Sequence, residues 1–329
     1  MNKLLKIGVI GAGHMGSNHV RILEGEKNFD LVGIYDVNRK QAEIVAETYN
    51  TRVFDSLDEL LQEVEAAVVV VPSTLHKEVG LKVADYGVHA LIEKPLAVTS
   101  EDARILTDVF AGKGLYLQVG HIERFNAVVR EMKKLLEGKN VFYIEAHRYS
   151  PFSGSGRISD VSVIEDLMIH DIDIVCDLME PHEVTDIRGN GERIRSQRVD
   201  FATCMLDFSS NAHAVINASR ISQNKERTIE VHTADSIISA DLLNKTLTIT
   251  QNTEIIVESG DSETYKQDGI VQKIFVPIVE PLRAELRSFY DVVVNGNKVL
   301  VNGEMATKAI EICEKVAERV SYDQGKVCE

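Results

Sequence analysis

Over its first 120 residues the chain places short apolar runs between amphipathic stretches, and each run stops at glycine, proline or an acid. Leu4 to Ile10 is the first run, closed by Gly11-Ala12-Gly13-His14-Met15-Gly16. Its brevity and β-branched content predict a buried parallel strand. Met15, Val20, Ile22 and Leu23 give His14 to Glu24 a helical pattern. Leu31 to Tyr35 is a second strand, ending at Asp36, and Asn38 to Tyr49 is a second helix built from good helix formers. Ala66 to Val71, closed by Pro72-Ser73, is a third strand, and Leu75 to Tyr86 a helix stopped at Gly87. A strand over His89 to Ile92, a helix with Ser100 as N-cap running through Phe110, and a strand over Leu115 to Val119 follow. This strand–helix alternation predicts an α/β fold with a doubly wound parallel sheet.

After Gly120 the rhythm changes. The pattern predicts a helix from Ala127 to Leu136, a strand from Val141 to Tyr149, a polar loop over residues 150–156, and a helix from Val163 to Leu178. Closely spaced strands follow at Phe201 to Phe208, Ala212 to Ala218, Thr228 to His232, Ile237 to Ala240, Thr246 to Thr250 and Glu254 to Val257. Their spacing suggests an antiparallel meander. Helices over Pro281 to Val294 and Gly303 to Val320 close the chain. Two domains are expected, residues 1–121 and a second α+β domain over 122–329, with the last helix returning to the first.

Composition narrows the function classes. Of 329 residues, 44% are hydrophobic and 26% charged, which is ordinary globular usage and excludes wholesale disorder. With 36 basic against 51 acidic side chains, the net charge of −15 argues against nonspecific nucleic-acid binding. No apolar run approaches bilayer-spanning length. Cys176, Cys204, Cys313 and Cys328 form no C-x-x-C pair, so neither a zinc site nor a dense disulfide framework is expected. Met1 to Lys6 runs directly into a strand without the pattern of a signal peptide, and a cytoplasmic location is the expectation.

Three segments carry chemistry. Gly11, Gly13 and Gly16 form G-x-G-x-x-G between a strand and a helix. Such glycines serve a tight turn, close approach of a pyrophosphate, and helix–strand packing. Asp36, at the end of the next strand, stands where a carboxylate accepts from adenine-ribose hydroxyls. It favours NAD, because a carboxylate repels the 2′-phosphate of NADP. Arg39 is near enough to offer that phosphate a compensating contact, so NADP is the second expectation. Glu93-Lys94-Pro95 ends the fourth apolar run, at the strand edge where open α/β sheets bind ligands. Partial desolvation there lowers a lysine toward a useful acid–base range, although an ordinary solvated lysine has the same spacing. In the helix after the loop, Asp166, His170 and Asp173 stand at i, i+4 and i+7. One helical face of that kind fits a proton-transfer site, a metal site or a solvated surface.

Taken together, these segments resemble the Gfo/Idh/MocA oxidoreductases along nearly the whole chain. The matching stretches are Gly11 to Gly16, Glu93-Lys94-Pro95, Gly120-His121-Ile122-Glu123-Arg124-Phe125-Asn126, and the D-x-x-x-H-x-x-D pattern from Asp166 to Asp173. The chain departs from the family at Met168, usually glycine, and at Ala127, usually proline. The resemblance implies a Rossmann domain, then an α+β domain whose open, mostly antiparallel sheet often makes an oligomer interface. It implies hydride exchange between NAD(P) and a sugar, polyol or nucleotide-sugar hydroxyl. The family's catalytic lysine maps to Lys94, its helix histidine to His170 and that histidine's carboxylate partner to Asp166. Ala12, His14 and Met15 fall within the phosphate turn. Pro72, Ser73 and His76 match the segment against the cofactor ribose and nicotinamide, and Glu93 stands beside it. Gln118 and Arg124 match positions lining the cofactor–substrate crevice, and Tyr149 and Arg157 are expected to reach substrate from the second domain. The segment from Gly120 to Asn126 looks most like that of nucleotide-sugar members, including UDP-N-acetylhexosamine 3-dehydrogenases. Inositol or aldose dehydrogenases and a non-catalytic NAD-responsive regulator of the same fold are the alternatives.

Overall fold

The structure is a computed structural model and describes residues 3–152, 161–258 and 264–324. By internal contacts the chain divides into two compact units, residues 1–125 with 279–311, and residues 126–278 with 312–329.

The first unit carries β1 (Leu5–Ile10), α1 (His14–Glu24), β2 (Phe29–Tyr35), α2 (Arg39–Tyr49), α3 (Leu57–Glu63), β3 (Ala66–Val69), α4 (His76–Asp85), β4 (His89–Glu93), α5 (Ser100–Gly112) and β5 (Leu117–Gly120). The strands form a five-stranded sheet in the order β2-β1-β3-β4-β5, parallel throughout. This is the doubly wound arrangement that the alternation predicts. Ser100 is not the N-cap of α5; the Thr99 hydroxyl one residue earlier accepts from the Asp102 N–H at 3.2 Å.

The second unit carries α6 (Ala127–Leu135), β6 (Val141–Pro151), α7 (Ile169–Leu178), β7 (Val184–Glu192), β8 (Phe201–Phe208), β9 (His213–Ser222), β10 (Glu226–Thr233), β11 (Ser236–Asp241), β12 (Thr246–Glu258) and β13 (Thr264–Ile274). Its eight strands form one sheet in the order β13-β12-β11-β10-β6-β9-β8-β7. The pairings are antiparallel except β6 with β9, which is parallel. Direct partners share a face. The row Leu247, Ala240, Ile229, Ala146, Ile216 and Cys204 is buried across six strands. The alternate positions of β6, Glu145, His147 and Tyr149, lie on the opposite, half-exposed face. Among the described residues Cys176, Cys204 and Cys313 form no disulfide, and burial pushes the Cys204 thiol up to about 12.

The chain closes with α8 (Pro281–Asn295) and α9 (Gly303–Gln324). Leu282, Leu286, Phe289 and Tyr290 of α8 join Leu5, Ile7, Val9, Val20 and Leu23 in the core of the first unit. Among the described residues no helix is long and apolar enough to cross a membrane.

Candidate active site

Because the five strands are parallel, the segments after β1, β2, β3, β4 and β5 all leave the sheet at one edge. At that edge Gly11 adopts φ +109, where a Cβ would come 2.6 Å from the Val70 carbonyl oxygen. A Cβ on Gly16 would come 2.0 Å from the Gly11 carbonyl oxygen. Gly13 differs: a Cβ there meets no protein atom within 4 Å. Gly13 is also the N-cap of α1, with no side chain capping the helix end. Two glycines that close the turn and a third beside open space form a cradle that fits a dinucleotide pyrophosphate. Asp36 joins this turn, its Oδ2 accepting from the Ala12 N–H at 2.6 Å and its Oδ1 from the Asn38 N–H at 2.7 Å. Gln41 braces the turn by donating to the Ala12 carbonyl at 3.2 Å. His14 is exposed and Met15 half-buried. Arg39 does not face this carboxylate; its guanidinium is engaged by Glu43 at 2.8 Å and by Asp55.

Pro72 is the N-cap of a short 3-10 turn, Ser73–Leu75, that leads into α4. His76 is buried there, with Nδ1 2.7 Å from the Pro95 carbonyl oxygen and Nε2 3.0 Å from that of Val71. Burial holds its ring below the ordinary histidine range against the pull of the two carbonyls, and in its neutral form the ring donates to only one of them. The Lys94–Pro95 peptide is cis. Glu93 is fixed from two sides, its Oε2 accepting from the Lys94 N–H at 3.2 Å and its Oε1 from His19 Nε2 at 3.2 Å. Its neighbour across the ladder is Gly120, where a Cβ would crowd Glu93 Oε2 at 3.1 Å. Burial works to raise the Glu93 carboxyl, but the His19 bond and the nearby Lys94 charge hold it below the ordinary range.

Gln118 and Arg124 are both buried. Gln118 donates to the Glu285 carbonyl at 3.1 Å, so it holds α8 rather than standing in a crevice. The reason is its place on β5, whose residues are all buried.

In the second unit the segment over residues 163–178 is not one regular helix. Ile164–Met168 forms a π-helical turn, and the α-helix begins at Ile169. The π-turn widens the angular step between Asp166 and His170 from that of a regular α-helix. Asp166 and His170 are half-buried, whereas Asp173 is 1% exposed and belongs to no solvated face. The residue that anchors this segment is Asp171, whose carboxylate receives Arg148 Nε and Nη2 at 2.8 Å each. Both side chains are buried. Arg148 went unread in the sequence, yet a signal was present. It takes the inward phase of β6 after Ile144 and Ala146, where a cation needs a buried partner. Tyr149, one residue on, takes the opposite face, 2.8 Å from His147 Nδ1, and is not brought to the face of Arg148 and α7. Arg157 lies outside the described residues.

A parallel sheet with a glycine turn that fits a pyrophosphate, a carboxylate bonded to that turn and a lysine at the same edge has the layout of a dinucleotide-binding domain. Residues 5–121 match the model of the oxidoreductase family with an NAD-binding Rossmann fold, and residues 131–239 match the GFO/IDH/MocA C-terminal domain. The chain belongs to the Gfo/Idh/MocA oxidoreductase family. It is 34% identical over 245 residues to the UDP-N-acetylglucosamine 3-dehydrogenase of Acidithiobacillus ferrooxidans, covering 74% of this chain and 76% of that one. A solved structure of that enzyme superposes with a TM-score of 0.87, covering 97% of this chain and 98% of the other at 29% identity. The glucose-6-phosphate 3-dehydrogenase of Bacillus subtilis is 32% identical over 194 residues, covering 55% of each chain.

Proposed function

We propose that this protein oxidises or reduces a secondary hydroxyl of a nucleotide sugar, with the 3-position of a UDP-N-acetylhexosamine the favoured substrate position. The main support is that the glycine turn, Asp36 and Lys94 follow strands ending at one edge of one sheet. The similarity to the Acidithiobacillus ferrooxidans enzyme supports the substrate class. NAD is the cofactor in this reading, because Asp36 presents a carboxylate at the turn, which repels a 2′-phosphate.

Bound NAD supplies the acceptor for the hydride. Lys94 or His170 takes the hydroxyl proton, and Lys94 steadies the developing alkoxide. Asp166 orients His170 and favours its charged form. His76 acts through the Pro95 carbonyl to hold the turn that presents Lys94. The enzyme works in the cytoplasm as a homo-oligomer formed through the open face of the eight-stranded sheet.

The test is NADH formation with UDP-N-acetylglucosamine, glucose 6-phosphate and inositol as alternative donors. UDP-N-acetylglucosamine is expected to give the highest kcat/KM, and NADH to bind at least about tenfold more tightly than NADPH. Lys94→Ala and His170→Ala should each lower kcat by about 10²–10⁴-fold, with NADH affinity nearly unchanged. Undiminished turnover in both variants would remove the assignment.

A further inference from the structure

Behind Lys94, inside the first unit, His19 of α1, Glu93 of β4 and Glu285 of α8 converge. One ligand-capable atom from each lies within 4.8 Å of the others. His19 and Glu285 are 0% exposed, and the Glu93 side chain is 13% exposed. Neither carboxylate oxygen of Glu285, nor Nδ1 of His19, has a hydrogen-bond partner. Two neighbouring buried carboxyls do not both ionise at modest cost. Burial, reinforced by the charge of Glu93, holds the Glu285 carboxyl well above the ordinary range, while Glu93 is held low. The pair therefore carries one proton, on Glu285, and one charge, on Glu93. The other ionisable groups brought against α8 are buried Glu123 and Arg124 of the turn Ile122–Phe125, with His121 just before it, and, from α1 and the turn after it, Arg21 against Glu280 and Glu26 against Arg283 and Arg287.

A buried pair of acids is a poor device for stability, because apolar side chains of the same volume fill such a space at lower cost. These groups are arranged around a single carboxylate. His19 meets one Glu93 oxygen, the Lys94 N–H meets the other, and Gly120 leaves the room that Glu93 occupies.

We propose that His19 and Glu285 are positioning residues for Lys94: they keep one negative charge fixed at Glu93, which orients the Lys94 backbone and holds a carboxylate beside its ammonium. The inference rests on Lys94 being the amine that handles the substrate proton.

The test is trace acetylation of the full-length protein with acetic anhydride across pH, with Lys94 read by peptide mass spectrometry against the other lysines. Glu93→Gln removes the neighbouring charge and is expected to lower the pH midpoint of Lys94 reactivity by about one unit. His19→Leu is expected to shift it the same way, and His19→Gln, which keeps an N–H donor, to restore it. Glu285→Gln replaces a neutral acid by a neutral amide and leaves the midpoint in place. The same variant gains Tm relative to the wild type as pH rises from about 5 to 8, because only the wild type must retain that proton in the fold. An unmoved midpoint in Glu93→Gln overturns the proposal; that substitution is near-isosteric and serves if His19→Leu fails to fold. A lowered midpoint or a flat Tm difference in Glu285→Gln overturns it too, by showing that Glu285 carries no such proton. So does a bound divalent metal that is retained by the wild type and lost from Glu285→Gln. Acetylation needs no substrate, so turnover surviving in Lys94→Met would sink the catalytic reading of Lys94 without touching the midpoints.

Discussion

At Gly13 and Gly16 the absence of a side chain serves two different ends. A Cβ on Gly16 would collide with the Gly11 carbonyl at 2.0 Å, a contact internal to the fold, whereas at Gly13 the space is open. Gly16→Ala is therefore expected to lower both thermal stability and dinucleotide binding. Gly13→Ala should leave Tm within about 2 °C of the wild type while weakening NADH binding at least about tenfold, since the methyl occupies room for pyrophosphate. Fluorescence titration and thermal unfolding separate the two, and a Gly13→Ala protein with normal NADH affinity would contradict the cradle. Motif spacing made these glycines legible. His19 and Glu285 were not legible as a pair, because α1 and α8 lie far apart in sequence and nothing local marks their meeting. Glu285 did carry a hint: with Leu282, Leu286 and Phe289 it occupies the apolar stripe of α8, a phase in which an unpaired acid is out of place.

Among elements, α8 shows how the first unit is fastened. Glu26, in the turn after α1, is 7% exposed and accepts from Arg283 at 2.5 Å and from Arg287 at 3.0 and 3.1 Å. Burial works to raise the Glu26 carboxyl, but the two guanidinium groups, Arg287 first, hold it below the ordinary value of 4.5. A carboxyl depressed in the folded state adds stability above its unfolded pKa and loses it as pH falls through the folded value. Glu26→Gln is thus expected to cost on the order of 1–2 kcal/mol at pH 7, discounted for the exposed arginines. The difference should shrink below about pH 4.5 in urea titrations. A cost that stays constant down to pH 3 would show that the ion pairs contribute nothing. Elements of low apolar contrast escaped the sequence reading. Strand β7 (VTDIRGNGE) and β13 are the two edges of the eight-stranded sheet, and α3 has 7 residues. Edge strands bury less of their surface, so their composition carries a weaker alternation. The π-helical turn escaped for another reason: its residues suit an α-helix, and its wider step has no local sequence mark.

For the molecule as a whole, the first unit is assembled from distant parts of the chain, residues 1–125 and 279–311. A fragment ending at residue 125 lacks Leu282, Leu286, Phe289 and Tyr290, each contributing on the order of 1.5–3 kcal/mol of burial. That sum is comparable to the whole stability of a domain. The fragment is expected to show no cooperative unfolding transition and poorly dispersed methyl resonances, and a sharp two-state melt would refute this. Much of the architecture follows from the sequence alone. The apolar runs and their stops specify a parallel α/β sheet followed by a mostly antiparallel one, and Gly11 to Gly16, Asp36 and Glu93-Lys94-Pro95 mark one edge of the first sheet, because period and turn chemistry are local properties. Tertiary structure alone decided that Arg39 turns to Asp55, that Gln118 holds α8, that Arg148 pairs with Asp171, and that His19, Glu93 and Glu285 meet. Those outcomes depend on which elements become neighbours, and a buried polar group takes its partner from whatever the packing brings within reach.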